Sequence, residues 1–226
     1  MTALEEESIL TVALMNIHGQ SGLNHAKQMQ IETFLHQNDI DVLHLQEIDI
    51  VEDSFRNCNF ISSSYNILTN NSPTKYGTAS LVKSDLYVEN IVCDTEGRAL
   101  IFDIGKFTLG NVYLPSGTDA RSRASREQYC SETLPRLLIH SNSMGCIGGD
   151  LNCIIDKKDA TNHPDSKLSP SLLRLVKAFK WQDSFRNLYP HEQIYSRYYA
   201  NIRAEGATRI DRLYHWGHVK VKDAKY

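Results

Sequence analysis

No stretch of this sequence approaches the roughly 18 consecutive apolar residues of a membrane-spanning helix, which speaks against a membrane partner for these 226 residues. No two cysteines stand in CxxC spacing, and the count of five is odd. A paired disulfide framework and a thiolate zinc site are thereby excluded. Cys146 and Cys153 lie inside apolar runs, where buried free thiols are expected, and the reading is a reducing, intracellular compartment. The opening MTALEEES is acidic and lacks the basic-then-apolar order of a signal peptide. Neither a GxxxxGK[ST] nor a GxGxxG element occurs, so the glycine-rich phosphate loops of P-loop and dinucleotide enzymes are absent. An excess of one charge is missing too. With a formal net charge of −3 the overall field does not draw a polyanion, and any basic contact surface must be local. No repeat, low-complexity tract or Gly/Ser/Pro-rich linker divides the chain, and one domain is the simplest account.

What the chain does contain is a succession of short apolar or alternating runs: ILTVALMNI, DVLHLQEI, YNILT, GTASLVK, VENIVCD, ALIFDIG, FTLGNVYLP, MGCIGG, QIYSRYY, TRIDRLYHW and HVKVK. Each reads as a strand. Helical periodicity is confined to HAKQMQIETFLHQN, to REQYCSETLPRLLIH, which Pro135 should kink or divide, and to SPSLLRLVKAFKW, with Ser169 or Ser171 as N-cap. Hairpin-like strands mixed with separate helices predict an α/β (α+β) fold. Two mostly antiparallel sheets pack face to face with helices outside, unlike a doubly wound parallel sheet.

The chemistry is suggested by polar residues at strand ends. Asn16 closes ILTVALM, Glu47 follows DVLHLQ, Asn111 and Tyr113 sit in TLGNVYLPSG, Asp150 and Asn152 close MGCIGG, and Asp211 interrupts TRIDRLY. In GGDLN two glycines clear the side chains just where an apolar strand should end. In extended backbone, residues i and i+2 share a face about 6.5 Å apart. Asp150 and Asn152 would then address one small group, the acid taking a proton while the amide donates to an anion, which suits phosphate-ester hydrolysis. Glu47 offers a hard oxygen to Mg²⁺, and Tyr113 a hydroxyl to phosphate. Singly, each has a plainer reading: a turn after Gly-Gly, a solvated strand end, a core aromatic, and for Asp211 a structural ion pair with Arg209 or Arg212.

In the order MNIHG, LQEI, NVYLPSG, GGDLN, QDSFRNLYP, YSRYY and RIDRLY, these segments resemble the endonuclease/exonuclease/phosphatase superfamily over nearly the whole chain. QDSFRNLYP is similar to abasic-site repair endonucleases. NVYLPSG with the Arg/Glu-rich helix after it, and ATRIDRLYH, are more similar to the endonuclease domain of non-LTR (LINE-type) retrotransposons, which nick chromosomal DNA and leave a 3′-hydroxyl for reverse transcription. The resemblance implies a four-layered, DNase I-like sandwich and a Mg²⁺-dependent endonuclease, with Mn²⁺ suited to the same ligands. It also implies double-stranded DNA as substrate, action in the nucleus, and a reverse transcriptase domain in the same longer polypeptide. Carried over by position, it makes Glu47 the metal ligand with Asn16 beside it and Asp150 the activator of water. Asn152 and Tyr113 hold the scissile phosphate, Asp183 and Arg186 brace the site, Ser196 stands where threonine is common, and Asp211 orients a histidine. The alternatives are an abasic-site repair endonuclease and a nuclease-like module that binds DNA or protein without cutting.

Two departures stand out. His18 occupies the place of an aspartate that helps hold metal in repair endonucleases, and a surface or hydrogen-bonding role is the preferred reading. No Ser-Asp-His motif follows Asp211, after which only residues 212–226 remain. On a strand, His215 lies about 13 Å and His218 about 23 Å from Asp211, so neither replaces the missing histidine. The expectation is one endonuclease domain over residues 1–226, cut before its last strand, weakly active or inactive alone, with a sheet edge open to pairing.

For DNA contact, DARSRASR places Arg121, Arg123 and Arg126 shortly after Tyr113, either against the backbone or as a solvated helix start. RYYANIRAEGATR reads as a hairpin whose tip carries Arg203 and probes a groove. KKDATNHPDSK, residues 157–167, is a polar loop near the site.

Overall fold

Period-two alternation along the strands decides how this molecule stacks. The computed structural model describes residues 9–18, 25–48, 59–73, 76–162, 164–201 and 204–226. In chain order these form β1 (Val12–Asn16), α1 (His25–Asn38), β2 (Val42–Ile48), α2 (Asn59–Ser64), β3 (Tyr65–Asn70), β4 (Gly77–Lys83), β5 (Val88–Cys93), β6 (Ala99–Ile104) and β7 (Phe107–Tyr113). There follow α3 (Ala120–Gln128), α4 (Leu134–Leu137), β8 (Met144–Asp150), α5 (Pro170–Ala178), β9 (Gln182–Asp183), α6 (Ser184–Leu188), β10 (Arg197–Asn201), β11 (Ala204–Thr208) and β12 (Asp211–Trp216).

One sheet runs β1-β2-β4-β3, the other β5-β6-β7-β8-β12-β9, and β10-β11 is a separate hairpin. Among the described strands only β1–β2 and β7–β8 pair in parallel. Leu43 and Leu45 of β2 with Ala79 and Leu81 of β4 face α1, where they meet Ile31 and Leu35. Val42 and Val82, on the opposite face of the same strands, meet Leu100, Phe102, Leu109 and Cys146 of the second sheet. The outer face of that sheet, including Ala99, Ile101, Val112 and Ile147, packs on Tyr129, Leu134, Leu172 and Leu175. Three apolar cores separate four layers, as the strand and helix pattern leads one to expect.

Local chemistry explains the helices. Asp119 caps α3 by accepting from the Ser122 N–H at 3.0 Å. The helix then passes through a π turn at Tyr129–Thr133 into α4, with Pro135 in its first turn. A wider turn is where a residue without an N–H costs least. Ser169, not Ser171, caps α5: its Oγ accepts from the Leu172 N–H at 3.2 Å, with Pro170 at the first helical position. The Ser171 N–H instead donates to Glu127 at 2.8 Å.

Two expectations are corrected. Gly148 and Gly149 do not end their strand, because β8 runs through both to Asp150 with unbroken pairing to β7 and β12. HVKVK forms no strand. Gly217, at φ 74°, turns the chain away, and β9 already holds the outer edge of β12 at Tyr214 and His215. The chain settles instead with Tyr226 edge-on to Phe185, ring centroids 5.1 Å apart, its hydroxyl donating to the Asp211 carbonyl at 2.6 Å. Among the described residues β1 pairs with β2 alone.

Candidate active site

The layer between the sheets changes character along its length. At one end it holds Val42, Leu100 and Phe102; further along β2 the same face carries His44 and Gln46, both fully buried. Gln46 donates to Asn111 Oδ1 at 2.8 Å, and Asn111 donates in turn to the carbonyls of Leu45 at 3.0 Å and Ala79 at 2.8 Å. This amide chain ties β7 to β2 and β4 just below the strand ends. Asn111 is therefore a buried strut rather than a strand-end group.

Strict alternation would send Glu47 toward α1 with Leu43 and Leu45. A bulge between Gln46 and Ile48 prevents this, and Glu47 takes φ 56°, a left-handed conformation that costs a non-glycine residue about 1 kcal/mol or more. Its carboxylate instead accepts from Asn16 Nδ2 at 3.0 Å. The same Asn16 nitrogen donates to Asp150 Oδ2 at 2.8 Å. One amide group thus spans two carboxylates. Asn16 Oδ1 is turned the other way, accepting from the His18 N–H at 2.9 Å.

Asp150 is 4% exposed. Gly149 before it has φ 140°, and a Cβ there would lie 2.1 Å from the Val112 carbonyl oxygen, so only glycine lets β8 come this close to β7. After Asp150 the chain turns. Asn152 has φ 48°, its N–H donates to Asp150 Oδ1 at 2.9 Å and its side-chain amide to the Leu114 carbonyl at 3.0 Å. The extended i, i+2 arrangement expected for this pair is replaced by a tight turn that leaves Asn152 Oδ1 and one amide hydrogen uncommitted.

Tyr113 stands beside Asp150 in the β7–β8 register, and Asp211 opposite it in the β8–β12 register. Burial first, then the Asp211 carboxylate, pushes the Asp150 carboxyl up to about 7. Burial also raises Asp211, against the pull of a Ser196 hydrogen bond and of the Arg212, His18 and Arg197 charges. Tyr113 is pushed up to about 12 by burial and by Glu47, so it is a neutral phenol, hydrogen-bonded to Ser116. Asn16, Glu47, Tyr113, Asp150, Asn152 and Asp211 are gathered at one end of the sandwich.

Beneath Asp211 lies a buried ionic cluster. Asp159, 1% exposed, receives Arg209 Nε at 2.9 Å and Arg186 at 2.9 Å, with an Arg212 nitrogen at 3.8 Å. Asp183 caps α6 through the Arg186 N–H at 3.1 Å and binds Arg209 at 2.5 Å. Ser196 Oγ accepts from the N–H groups of Ile210 and Asp211, each at 3.1 Å. Asp183, Arg186 and Ser196 hold the segment that delivers Asp211. Asp159 and Arg209 belong to the same support, while Gln46 and Asn111 brace the strand ends between the sheets. Their sequence signal was weak, since a polar loop residue whose cationic partners lie 27 and 50 positions away follows no local pattern.

Among the described residues no three of His, Cys, Asp and Glu converge as a closed metal cage. The half-buried Glu47 carboxylate beside the Asn16 and Asp150 pair fits a hard divalent cation that takes one or two protein oxygens and completes its shell with water and phosphate. The set does not fit a tetrahedral zinc site.

Of the arginines read as DNA contacts, Arg121 and Arg123 are exposed on the first turns of α3. Arg126 is 2% exposed and donates to the Pro115 carbonyl at 2.6 Å and the Gly117 carbonyl at 3.3 Å, which fixes the loop after Tyr113. Arg203 lies outside the described residues. Arg98, which the sequence reading passed over, sits above the Tyr113 ring at 5.5 Å from its centroid. His18 is exposed.

The chain superposes on an AP endonuclease from Archaeoglobus fulgidus with TM-score 0.71 and 18% identity, covering 92% of this chain and 87% of that one. The 3′ phosphatase NExo from Neisseria, bound to a product DNA hairpin, gives 0.68 and 17% over 92% and 87%. TDP2 from Caenorhabditis elegans gives 0.63 and 20% over 92% and 64%. The fold is the DNase I-like sandwich. No family model and no curated protein matches the chain. The four-layered architecture is therefore established by both the internal packing and the superpositions, and it places the converging polar strand ends at one rim of the sandwich.

Proposed function

We propose that this chain is a divalent-metal-dependent DNA phosphodiesterase, an endonuclease that nicks duplex DNA to leave a 3′-hydroxyl. The observation that carries the reading is the Asn16 amide bridging Glu47 and Asp150, with the buried Asp150 carboxyl brought up to about 7. A general base is most effective with its pKa near the working pH. In the reaction a water oxygen bonds to phosphorus, the P–O3′ bond breaks, the leaving 3′ oxygen takes a proton from solvent, and a 5′-phosphate and 3′-hydroxyl result. Asp150 takes the proton of the attacking water, and the Asn16 amide keeps its carboxylate aimed. The free amide hydrogen of Asn152 and the Tyr113 hydroxyl donate to non-bridging phosphate oxygens, where charge accumulates. Glu47 holds the Mg²⁺ or Mn²⁺, which when bound supplies Lewis-acid stabilisation of the phosphate. Asp211 fixes the electrostatic environment of Asp150.

The finer assignment within this reading is the endonuclease of a non-LTR retrotransposon, acting in the nucleus beside a reverse transcriptase. NVYLPSG, the arginine-bearing helix after it and ATRIDRLYH support it. The second reading is abasic-site repair, favoured by QDSFRNLYP and compatible with the Archaeoglobus superposition. Nicking of supercoiled plasmid in Mg²⁺ is compared with cleavage of a synthetic abasic duplex, with Asp150→Ala as the control for contaminating nuclease. Plasmid nicking that Asp150→Ala abolishes supports the first reading. Selective cleavage of the abasic duplex supports the second, and a protein that cuts neither overturns the catalytic reading.

A further inference from the structure

We infer that Lys167, seated over the Tyr199 ring, and Arg197, on the same face of β10 at the foot of the β10–β11 hairpin, bind a second phosphodiester of the DNA strand, adjacent to the one that is cut. The inference rests on the nuclease reading and names a contact that the reading lacks.

Arg197 and Tyr199 are two residues apart on β10 and share a face of the strand. Lys167 comes to that face from another part of the chain, its Nζ 4.6 Å from the centroid of the Tyr199 ring. The contact is held from both ends. The Lys167 N–H donates to the Pro164 carbonyl at 2.9 Å and its carbonyl accepts from Ile154 at 2.9 Å, four residues past Asp150. The Tyr199 ring fills the space above Gly206, where an added Cβ would meet its hydroxyl at 2.4 Å. Ser196, next to Arg197, binds the Asp211 N–H at 3.1 Å. The cationic face is thus tied by a backbone hydrogen bond to Ile154, in the segment that follows Asp150, and through the Ser196 hydroxyl to Asp211.

The charges on this face are unbalanced. Arg186 and Arg209, nearby in the fold, have Asp159 and Asp183 as partners. Among the described residues no carboxylate stands within ion-pair distance of Lys167 or Arg197; the Asp211 carboxylate feels the Arg197 charge from further off. Burial lowers the Lys167 pKa and the Arg197 charge lowers it further. Two cations held together with no carboxylate in ion-pair contact repel one another, and an anion placed between them turns the arrangement favourable. Lys167 supplies a point charge and Arg197 a fork for phosphate oxygens. A DNA strand with one phosphate at Asp150 carries the next such anion along its backbone.

The test is the salt dependence of affinity for a duplex oligonucleotide, measured with Asp150→Asn throughout so that nothing is cut. Lys167→Met retains the aliphatic stem over Tyr199 and removes the charge; it is combined with Arg197→Ala. The pair is expected to weaken binding about tenfold and to make the slope of log affinity against log salt less negative by about one. Lys106→Ala with Lys177→Ala, both exposed and distant from the site, is the control for lost net charge. An unchanged slope and affinity within twofold of the parent, with parent and variant equally folded by thermal melting, overturns the inference alone. An equal loss in the control pair does so too. A parent protein with no salt-dependent DNA binding overturns the nuclease reading and this inference with it.

Discussion

Asp150 and Asp211 are direct partners across the β8–β12 pairing, two carboxylates held opposite each other at the rim of the sandwich. Neither is neutralised by a lysine or arginine salt bridge among the described residues. Burial lifts both above the ordinary carboxylate range, and the Asp211 charge adds to the rise of Asp150, to about 7. Below the unfolded value of about 3.9 both states hold the proton and nothing is gained or lost. Between there and about 7 the folded state keeps a proton that the unfolded chain releases, so stability falls as pH rises. Above 7 the full penalty remains. Asp150→Asn is therefore expected to raise the melting temperature of the metal-free protein by several degrees at pH 8 and hardly at all at pH 4. Equal shifts at the two pH values would contradict the assignment.

His44 carries the opposite dependence. It is fully buried between the sheets, its Nδ1 2.8 Å from Ser80 Oγ, and burial brings its pKa down to about 3. The unfolded chain binds a proton below about 6.5 that the folded state refuses, so stability is complete above that pH and is lost on acidification. The loss reaches about 2 kcal/mol by pH 5. Denaturant melts of His44→Leu should show this slope removed between pH 7 and 5, whatever the variant does to stability at pH 7. A slope that persists in the variant would place its origin elsewhere.

Much of this site was legible before the fold. Asn16, Tyr113, Asp150 and Asp211 each end or begin an apolar strand, and the layered architecture brings those ends to one rim. The Glu47 carboxylate reaches Asn16 for a reason the local pattern does not contain. The alternation in DVLHLQEI assigns it to the face of Leu43 and Leu45, and only the bulge redirects it. The Asp150–Asn152 pair was read as extended backbone, whereas a hydrogen bond from the Asn152 N–H to the Asp150 carboxylate closes a turn. Asp159 lay in a stretch whose composition was compatible with a solvated loop. It is buried among three arginines brought in from α6, from the approach to β12 and from β12 itself, and long-range ion pairing leaves no periodic trace.

Glu47 combines a left-handed backbone with a carboxylate beside that of Asp150, and both features favour function over stability. Glycine adopts φ 56° without penalty, and the half-buried Glu47 side chain loses little packing on removal. Glu47→Gly is expected to leave the metal-free protein as stable as the parent or more stable by about 1 kcal/mol, while Mg²⁺-dependent cleavage falls at least a hundredfold. Calorimetry with and without Mg²⁺ separates the two effects. The parent should gain stability from the ion and the variant should not. A variant that is both destabilised and still stabilised by Mg²⁺ would remove Glu47 from the metal site.

The Asp159 cluster is a buried charge arrangement, so its removal differs from loss of a surface salt bridge. Burial alone would raise the Asp159 carboxyl, and Arg209 and Arg186 more than offset this to hold it below its ordinary value. Asp159→Ala leaves Arg209, 1% exposed, with Asp183 as its remaining carboxylate partner, and Arg186 with none among those described. Breaking a buried pair from one side costs about 3–5 kcal/mol, and urea melts should show that loss. Asp156, whose side chain caps the short turn just before Asp159, is exposed, and Asp156→Ala should cost under about 1 kcal/mol. Because the Asp159 carbonyl also accepts from the Arg209 N–H at 2.8 Å, the strand leading to Asp211 stays attached in the variant. Adding Arg186→Met to Asp159→Ala should then recover part of the stability, since the cation left without a carboxylate partner disappears. If the double variant loses the sum of the two single losses, the residues act independently and the cluster is not what holds β12 in place.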